Sequence, residues 1–277
     1  MSDRDYILGT HDEEIDRLGL QHRVWRPDML ACWSEALQAM QHFGKPGTRI
    51  RALDVGCGPG YATNDLAEAF GPPHEVIGLE RSDRFIQSAK ERCLDRSNVF
   101  FRQLDLVKDE LGLDGVDFAW CRWVLAFLAE PSNVIAKLAK AMKPGGVFAI
   151  HDYIDYRSWR PAPQRPLLEE FVAETMASWR DAQGDPDIGL RLPTLLAEAG
   201  FEVVHARPIV HAFAPDDEGW KWPEAYILNH AKRLVDLRGK PSEWADAVIE
   251  ELRQAERDIH SLMITPMVIE LVAVKTS

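Results

Sequence analysis

The chain has 277 residues, 46% of them hydrophobic, which is enough for the core of one large α/β domain or of two smaller domains. Its 44 acidic and 32 basic residues give a formal net charge of -12 without any Lys- or Arg-rich run, so neither nucleic acid nor an anionic membrane surface is expected as a partner. The four cysteines are dispersed, with no CxxC pair, which argues against a zinc site and indicates free thiols in a reducing cytoplasm.

The first 45 residues are predicted to be mainly helical. Thr10 followed by Glu13 makes a capping-box pattern. One helical face then carries Ile15, Leu18, His22 and Trp25. The acidic, polar N-terminus lacks the basic start and apolar core of a signal peptide, and no run approaches roughly eighteen apolar residues. We therefore expect a cytoplasmic protein whose N-terminal helix lies over the mouth of a sheet.

Residues 50–151 alternate between short apolar runs and longer segments with helical spacing, a rhythm typical of a parallel sheet with crossover helices. The predicted strands are Ile50 to Val55, Glu75 to Leu79, Val99 to Gln103, Val116 to Trp120 and Val147 to Ile150. Residues 143–146, with the sequence KPGG, predict a turn before the fifth strand.

The rest of the chain predicts two more strands separated by a long insertion. A Pro-punctuated link after the fifth strand leads into an amphipathic helix over residues 167–179. Residues 192–209 indicate a helix followed by a strand at 201–209, and the last strand is predicted at residues 266–274. The intervening residues 212–262 exceed what a hairpin needs and are predicted to form an inserted subdomain.

The stretch ALDVGCGPGY, residues 52–61, places three glycines between the first strand and the first crossover helix. Such a loop lies where ligands bind in an open parallel sheet, and its missing side chains let a ligand approach the backbone. The dinucleotide fingerprint wants a small residue where Tyr61 stands, and the phosphate-binding GxxxxGK[ST] pattern is absent. A phosphate is therefore not the expected ligand, and a tight turn without a ligand is the alternative.

The same stretch resembles motif I of the class I S-adenosylmethionine-dependent methyltransferases, which is an acidic residue in the first strand followed by GxGxG. The resemblance implies that S-adenosylmethionine is the cofactor and that Asp54 organises the loop near its ammonium group. The loop that would wrap the methionine part of the cofactor contains Gly56, Cys57, Gly58 and Gly60. A pyrophosphate would be repelled by a carboxylate at Asp54, so this residue fits the methyl donor better than a dinucleotide.

Glu80 extends the resemblance to the second strand. It ends that strand, 26 positions after Asp54, and an acidic group there can accept hydrogen bonds from both ribose hydroxyls. In the family this residue is the ribose ligand, and the residue at Arg81 flanks the adenine.

The later strands extend the resemblance further. Asp105 and Leu106 follow the third strand where the family binds the adenine amino group, although Leu104 stands where a small residue is usual. Cys121, after the fourth strand, would lie beside the methionine part of the cofactor. KPGGVFAIHDY, residues 143–153, resembles the family's motif at the fifth strand.

The implied fold is α/β. It is a seven-stranded, mostly parallel Rossmann-like sheet flanked by helices, with N-terminal lid helices and a helical insert between the last two strands. We predict a single methyltransferase domain with a lid at residues 1–45, a core at 46–211 and 263–277, and a substrate-side insert at 212–262.

The N-terminal stretch also resembles the lid helix of small-molecule members of the family. This implies that Gln21 or Trp25 closes over the cofactor. A helix that is simply docked on the core explains the same apolar residues.

His151 is the candidate general base because an imidazole titrates near neutral pH and the carboxyl end of the fifth strand faces the reaction centre. Asp152 and Tyr153 would orient it or contact the acceptor. The alternative is a structural histidine hydrogen-bonded at the strand end. No metal is expected in the reaction.

The methyl acceptor is expected to be a small aromatic or apolar molecule. Residues suited to roof its pocket, or equally to pack the insert's own core, are Trp123, Tyr153, Trp159, Trp220, Trp222, Tyr226 and His230. The NPPY-type motif of members that methylate adenine or protein glutamine is replaced by CRWV at residues 121–124, which again argues against nucleic acid. The identity of the acceptor and the oligomeric state are left open.

The sequence therefore predicts an S-adenosylmethionine-dependent methyltransferase acting on an O, N or C nucleophile of a small molecule. A protein that binds the cofactor without catalysis shares the same loop and is the second hypothesis. An NAD-linked oxidoreductase is disfavoured by Tyr61 and Asp54.

Overall fold

The computed structural model describes residues 12–276, apart from 45, 46 and 48. The strands are β1 (Arg51–Val55), β2 (Glu75–Glu80), β3 (Val99–Gln103), β4 (Val116–Arg122), β5 (Met142–Asp155), β6 (Arg160–Ala162), β7 (Phe201–Ile209), β8 (Ala212–Phe213), β9 (Leu262–Ile264) and β10 (Met267–Lys275). The α-helices are α1 (Asp12–Phe43), α2 (Tyr61–Phe70), α3 (Asp83–Arg92), α4 (Pro131–Ala141), α5 (Pro166–Asp181), α6 (Leu192–Glu198), α7 (Lys221–Arg238) and α8 (Ser242–Arg257).

The central sheet has seven strands in the order β3-β2-β1-β4-β5-β10-β7. β1 pairs in parallel with β2 on one side and with β4 on the other, whereas β10 is antiparallel to both β5 and β7. The predicted mostly parallel sheet with a closing antiparallel pair is confirmed. The order of the strands reverses between β1 and β4, and the carboxyl ends of strands at such a switch point form a crevice that binds ligands.

Helices cover both faces of this sheet, which explains the apolar character of its middle strands. Six of the seven residues of β4 are buried, as expected for a parallel strand covered on both sides. Helix α1 packs against β5 and β10 and buries Trp25, Met29 and Trp33. The predicted N-terminal helix is thus confirmed over Asp12–Phe43, while the capping residue suggested there, Thr10, lies outside the described residues.

The predicted turn at residues 143–146 is instead part of β5. Met142 pairs with Val116, and the register then shifts before Phe118 pairs with Val147, so the KPGG segment forms a bulge in the strand. Gly145 has φ +78, and a Cβ there would approach the Phe43 carbonyl oxygen to 2.7 Å. The bulge therefore lies directly against the end of α1.

The inserted segment is built around α7 and α8, which pack on each other and on α5. Its short strands β8 and β9 join β6 in a second, three-stranded sheet of order β6-β9-β8. This sheet links the insert to the chain that follows β5. In the described part of the chain, no helix has both the length and the apolar character needed to cross a membrane.

Candidate active site

A cavity of about 300 Å³ opens at the carboxyl edge of the sheet, at the switch point between β1 and β4. The glycine loop after β1 and the ends of β2 and β4 form its floor, while residues of α1 and α7 form its roof. One half is polar and lies around the glycine loop. The other half is aromatic and lies beneath α7.

Most of the sequence-predicted site residues meet in the lining of this cavity. Those that line it are Gln21, Asp54, Gly56, Cys57, Gly58, Glu80, Arg81, Asp105 and Leu106. Gly60, Cys121 and His151 are not among the lining residues.

Gly58 and Gly60 of the loop are required for different structural reasons. At Gly58, φ is +51 and nothing lies within 4 Å of where a Cβ would be, so the cavity side of the backbone is open. At Gly60, φ is +82 and a Cβ would approach Ala89 Cβ to 2.7 Å. Gly60 thus lets α2 start close to α3, and it supports the loop without lining the cavity.

Asp54 is a buried carboxylate at the polar end of the cavity. Its side chain accepts a 2.6 Å hydrogen bond from Thr63 Oγ1. Burial raises the pKa of Asp54 to about 6, against the effects of the Thr63 hydrogen bond and of the nearby Arg122. At neutral pH this group offers a negative charge with little water around it, which suits a cationic ligand group.

Glu80 connects the ends of β1 and β2. Its Oε1 accepts hydrogen bonds from the backbone N–H groups of Arg81 and Ser82, both at 2.8 Å, and its Oε2 accepts one from Gly58 N at 3.1 Å. A carboxylate has about four acceptor positions, so a hydroxyl-bearing ligand in the cavity can still bind to it. Asp105 is held similarly, by Val107 N at 3.0 Å.

Stacked rings form the aromatic half. Trp123 lies between Tyr153 and Trp222, with ring centroids 5.7 Å and 5.9 Å away and interplanar angles of 17°. The indole N–H of Trp222 donates to Gln21 Oε1 at 3.0 Å, which joins α7 to α1 across the roof. Of the other predicted roof residues, Trp159 and Tyr226 line the cavity, whereas Trp220 and His230 are buried outside it.

Among the lining residues that sequence reasoning missed are Arg17, Arg122, Tyr156 and Trp179. Side chains of a strand alternate between its faces, and Trp120 and Arg122 of β4 both line the cavity. Cys121, between them, is fully buried and points into the core. If Trp120 is taken to face the cavity, the alternation of side chains along β4 predicts that Arg122, and not Cys121, faces it too.

His151 lies in the middle of β5, because that strand continues to Asp155 instead of ending at Ile150. Its imidazole is fully buried, and Nε2 contacts Glu270 Oε2 at 3.0 Å. Burial lowers the pKa of His151, and the Glu270 carboxylate opposes that change. This position supports the structural alternative and gives no support to a general-base role.

Comparison with known proteins agrees with this arrangement. A family model described as "Methyltransferase domain" matches residues 46–200. The trans-aconitate 2-methyltransferase of Variovorax paradoxus is 31% identical over 150 residues, 54% of this chain and 53% of that protein. The ubiquinone biosynthesis O-methyltransferase of Methylococcus capsulatus is 30% identical over 146 residues, 50% of this chain and 60% of that protein. The chain spans about half the length of the curated relatives it matches.

A solved structure adds a likeness in fold. The phosphoethanolamine N-methyltransferase 2 of Haemonchus contortus, in complex with phosphomonomethylethanolamine and S-adenosylhomocysteine, superposes with a TM-score of 0.51 at 18% identity. The superposition covers 88% of this chain and 53% of that chain.

Proposed function

Because the chain belongs to the class I S-adenosylmethionine-dependent methyltransferases, we propose that it transfers a methyl group from S-adenosylmethionine to an O, N or C nucleophile of a small planar molecule. One observation carries this proposal. A single cavity joins the Asp54–Glu80 polar end to an aromatic chamber, so two reactants have room to meet without leaving the protein.

The residues of the polar half fit the cofactor. Asp54 would face the ammonium group, the open backbone at Gly58 would lie along the methionine part, and Glu80 would accept from the ribose hydroxyls. Arg81, Asp105 and Leu106 would enclose the adenine. When bound, the cofactor supplies a methyl group activated by its positive sulfur. The chain's own task is to bind, align and keep water away.

The aromatic half would hold the acceptor. Its rings provide flat apolar walls, and phenol hydroxyls of Tyr153, Tyr156 and Tyr226 provide polar contacts. Burial raises the pKa of Tyr156 and of Tyr226, so both stay protonated. In the described part of the chain, no histidine or lysine lines the cavity. Alignment of an acceptor that is already nucleophilic is therefore the catalytic contribution we infer.

A binding titration followed by an acceptor panel tests the proposal. The purified protein is titrated with S-adenosylhomocysteine and with NADH, and then incubated with S-adenosylmethionine and acceptors chosen from polycarboxylates, hydroxylated aromatics and quinols. We include trans-aconitate and a quinol in the panel because the two relatives described above are named as a trans-aconitate methyltransferase and a ubiquinone biosynthesis methyltransferase. We expect S-adenosylhomocysteine to bind and to be released as product with a planar acceptor. Binding without turnover favours a cofactor-binding protein, and binding of NADH alone favours an oxidoreductase.

The charge of Asp54 predicts a pH-dependent cofactor affinity. Since its pKa is about 6, the carboxyl becomes neutral as the pH falls through that value, and its attraction for an ammonium group is lost. We expect the affinity for S-adenosylhomocysteine, measured by calorimetry, to be constant above the pKa and to decrease below it. Asp54→Asn should have a lower affinity at neutral pH and a smaller acid-side decrease.

Thr63→Val is the matched control for this prediction. It keeps the carboxylate but removes the hydrogen bond that favours the charged form, so the decrease should move to higher pH. Identical pH profiles for the wild type and Asp54→Asn would contradict the assignment of Asp54.

A further inference from the structure

We propose that Arg122, held in place by His22 of helix α1, forms a carboxylate-binding subsite at the inner end of the cavity. The inference rests on the proposed function and assigns a role in ligand binding to two residues outside the glycine loop. Arg122 is the last residue of β4 and lines the cavity. It follows Cys121, which pairs with Val55 at the end of β1. Its guanidinium therefore lies beside the start of the glycine loop.

The contacts of Arg122 leave its charge without a direct counter-ion. Its Nη2 lies 3.1 Å from His22 Nδ1, and its Nη1 lies 3.8 Å from Met29 Sδ. Burial lowers the pKa of Arg122 to about 10, so the group is charged at neutral pH. In the parts of the chain that the structure describes, no carboxylate oxygen lies within 4.0 Å of this guanidinium. Arg122 is partly buried and its direct partners are neutral, while the carboxylates of Asp54 and Asp65 act on it only from beyond 4.0 Å. An anionic ligand group in direct contact would therefore stabilise its charge.

The neighbours of His22 fix its protonation. His22 Nε2 lies 3.2 Å from Asp65 Oδ2, and the same oxygen accepts a 2.6 Å hydrogen bond from Arg26 Nε. Arg122 has only donors, so His22 Nδ1 must accept, and the ring proton is on Nε2, where it is donated to Asp65. The ring also stacks on Tyr61 at 5.6 Å. His22 is therefore a neutral, oriented acceptor that aims the guanidinium.

Two carboxylates qualify as occupant: that of the cofactor's amino-acid end and that of an anionic acceptor. Asp54, the penultimate residue of the neighbouring strand β1, also lines the cavity. A carboxylate group and a guanidinium group that are adjacent in this way complement the ammonium and the carboxylate of a zwitterionic amino acid. The cofactor's amino-acid end is consequently the occupant we favour, and the experiment separates the two.

The first arm of the test compares ligands with and without the carboxylate. Arg122→Met and Arg122→Lys are titrated with S-adenosylhomocysteine and with 5′-methylthioadenosine, which lacks the amino-acid end. We expect Arg122→Met to weaken binding of the first by about 10- to 100-fold and to change binding of the second by less than about twofold, with Arg122→Lys in between. Circular dichroism melts confirm that the variants are folded.

Other outcomes of this arm are decisive. If only the binding of trans-aconitate to the S-adenosylhomocysteine complex is lost in Arg122→Met, the subsite belongs to the acceptor. Unchanged binding of both S-adenosylhomocysteine and trans-aconitate overturns the subsite while leaving the proposed function intact. A wild-type protein that binds neither adenosyl compound overturns the proposed function itself.

The second arm tests His22 as a positioning residue. If His22 acts through Arg122, His22→Phe should weaken S-adenosylhomocysteine binding, and the double variant with Arg122→Met should be no weaker than Arg122→Met alone. His22→Gln, which keeps an acceptor and a donor, should restore part of the affinity. Additive losses in the double variant would overturn the coupling.

The pH profile gives an independent readout. The groups facing His22 are Arg122 from β4, Asp65 and Tyr61 from α2, and Arg26 from its own helix. Burial lowers the pKa of His22, and a proton added to Nδ1 at acid pH would point at the guanidinium. As the pH falls below the ordinary histidine value of 6.5, the wild type should come to lose more affinity than His22→Gln, because the contribution of Asp54 is common to both. Equal losses down to the pH at which the protein unfolds would contradict the role of His22.

Discussion

Replacing Glu80 with alanine is expected to weaken S-adenosylhomocysteine binding by about 10- to 100-fold. The carboxylate accepts hydrogen bonds from the backbone N–H groups of Gly58, Arg81 and Ser82. In our assignment it also accepts a hydrogen bond from the ribose of the cofactor. With three of its about four acceptor positions already used, the carboxylate has one left for a ribose hydroxyl. Loss of that charge-assisted hydrogen bond costs about 1.5–3 kcal/mol. The loop that Glu80 ties to β2 would also be less well ordered. Isothermal titration calorimetry measures the change.

Glu75→Ala is a control from the same strand. Glu75 lies at the opposite end of β2, where it pairs with Arg51 Nε at 2.7 Å, and it does not line the cavity. Its removal should cost at most about 1 kcal/mol of stability and leave the ligand affinity unchanged. Glu80→Gln keeps one acceptor oxygen and should give an intermediate loss. A Glu80→Ala affinity within about threefold of wild type would refute the ribose assignment.

Replacing Glu270 with alanine is expected to lower the free energy of unfolding by about 2–3 kcal/mol. Glu270, in β10, is buried and accepts hydrogen bonds from His151, from His205 and twice from Arg207, at 2.8–3.0 Å. The buried His151 would lose its acceptor, while Arg207, which is partly exposed, would keep a longer ion pair with Asp28, at 3.8 Å. Urea unfolding followed by circular dichroism measures the loss.

The pH dependence of stability provides a second measure of Glu270. Burial raises its pKa, but the hydrogen bonds from His151, Arg207 and His205 outweigh that effect and hold the pKa at about 2, below the ordinary 4.5. Since the folded pKa is the lower one, the stabilisation is fully present above about pH 4.5 and disappears as the pH falls toward 2. Glu270→Ala should lack this component.

Glu202→Ala, on the exposed side of the neighbouring strand β7, is the control and should stay within about 0.5 kcal/mol of wild type. Because Glu270 does not line the cavity, the folded fraction of Glu270→Ala should bind S-adenosylhomocysteine as the wild type does. A loss of binding with unchanged stability would instead bring this cluster, and His151 with it, back into the catalytic site.

The sequence was sufficient for features set by local patterns. The bounds predicted for β3 and β7 agree with the structure, and Asp54 and Glu80 were found because each is fixed by a short motif at a strand end. His151 was misplaced because β10, more than a hundred residues later, pairs with β5 as far as Asp155 and extends it. No local pattern carries that pairing.

The arrangement of the aromatic roof was also hard to predict from the sequence, because it depends on contacts between distant parts of the chain. The small sheet that joins the insert to the fold consists of strands of only three, three and two residues, and these lie far apart in the chain. Such strands have no periodicity to detect. Which tryptophans face the cavity and which pack inside therefore depends on tertiary contacts.

The position of β10 also has a consequence for synthesis on the ribosome. β5 and β7 are made first, yet neither can complete its pairing until Met267–Lys275 has left the exit tunnel and inserted between them. A chain stalled before that point exposes two unpaired strand edges at once. We expect such nascent chains to be protease-sensitive and bound by chaperones, and the last strand to act as the step that commits the whole sheet to its native order.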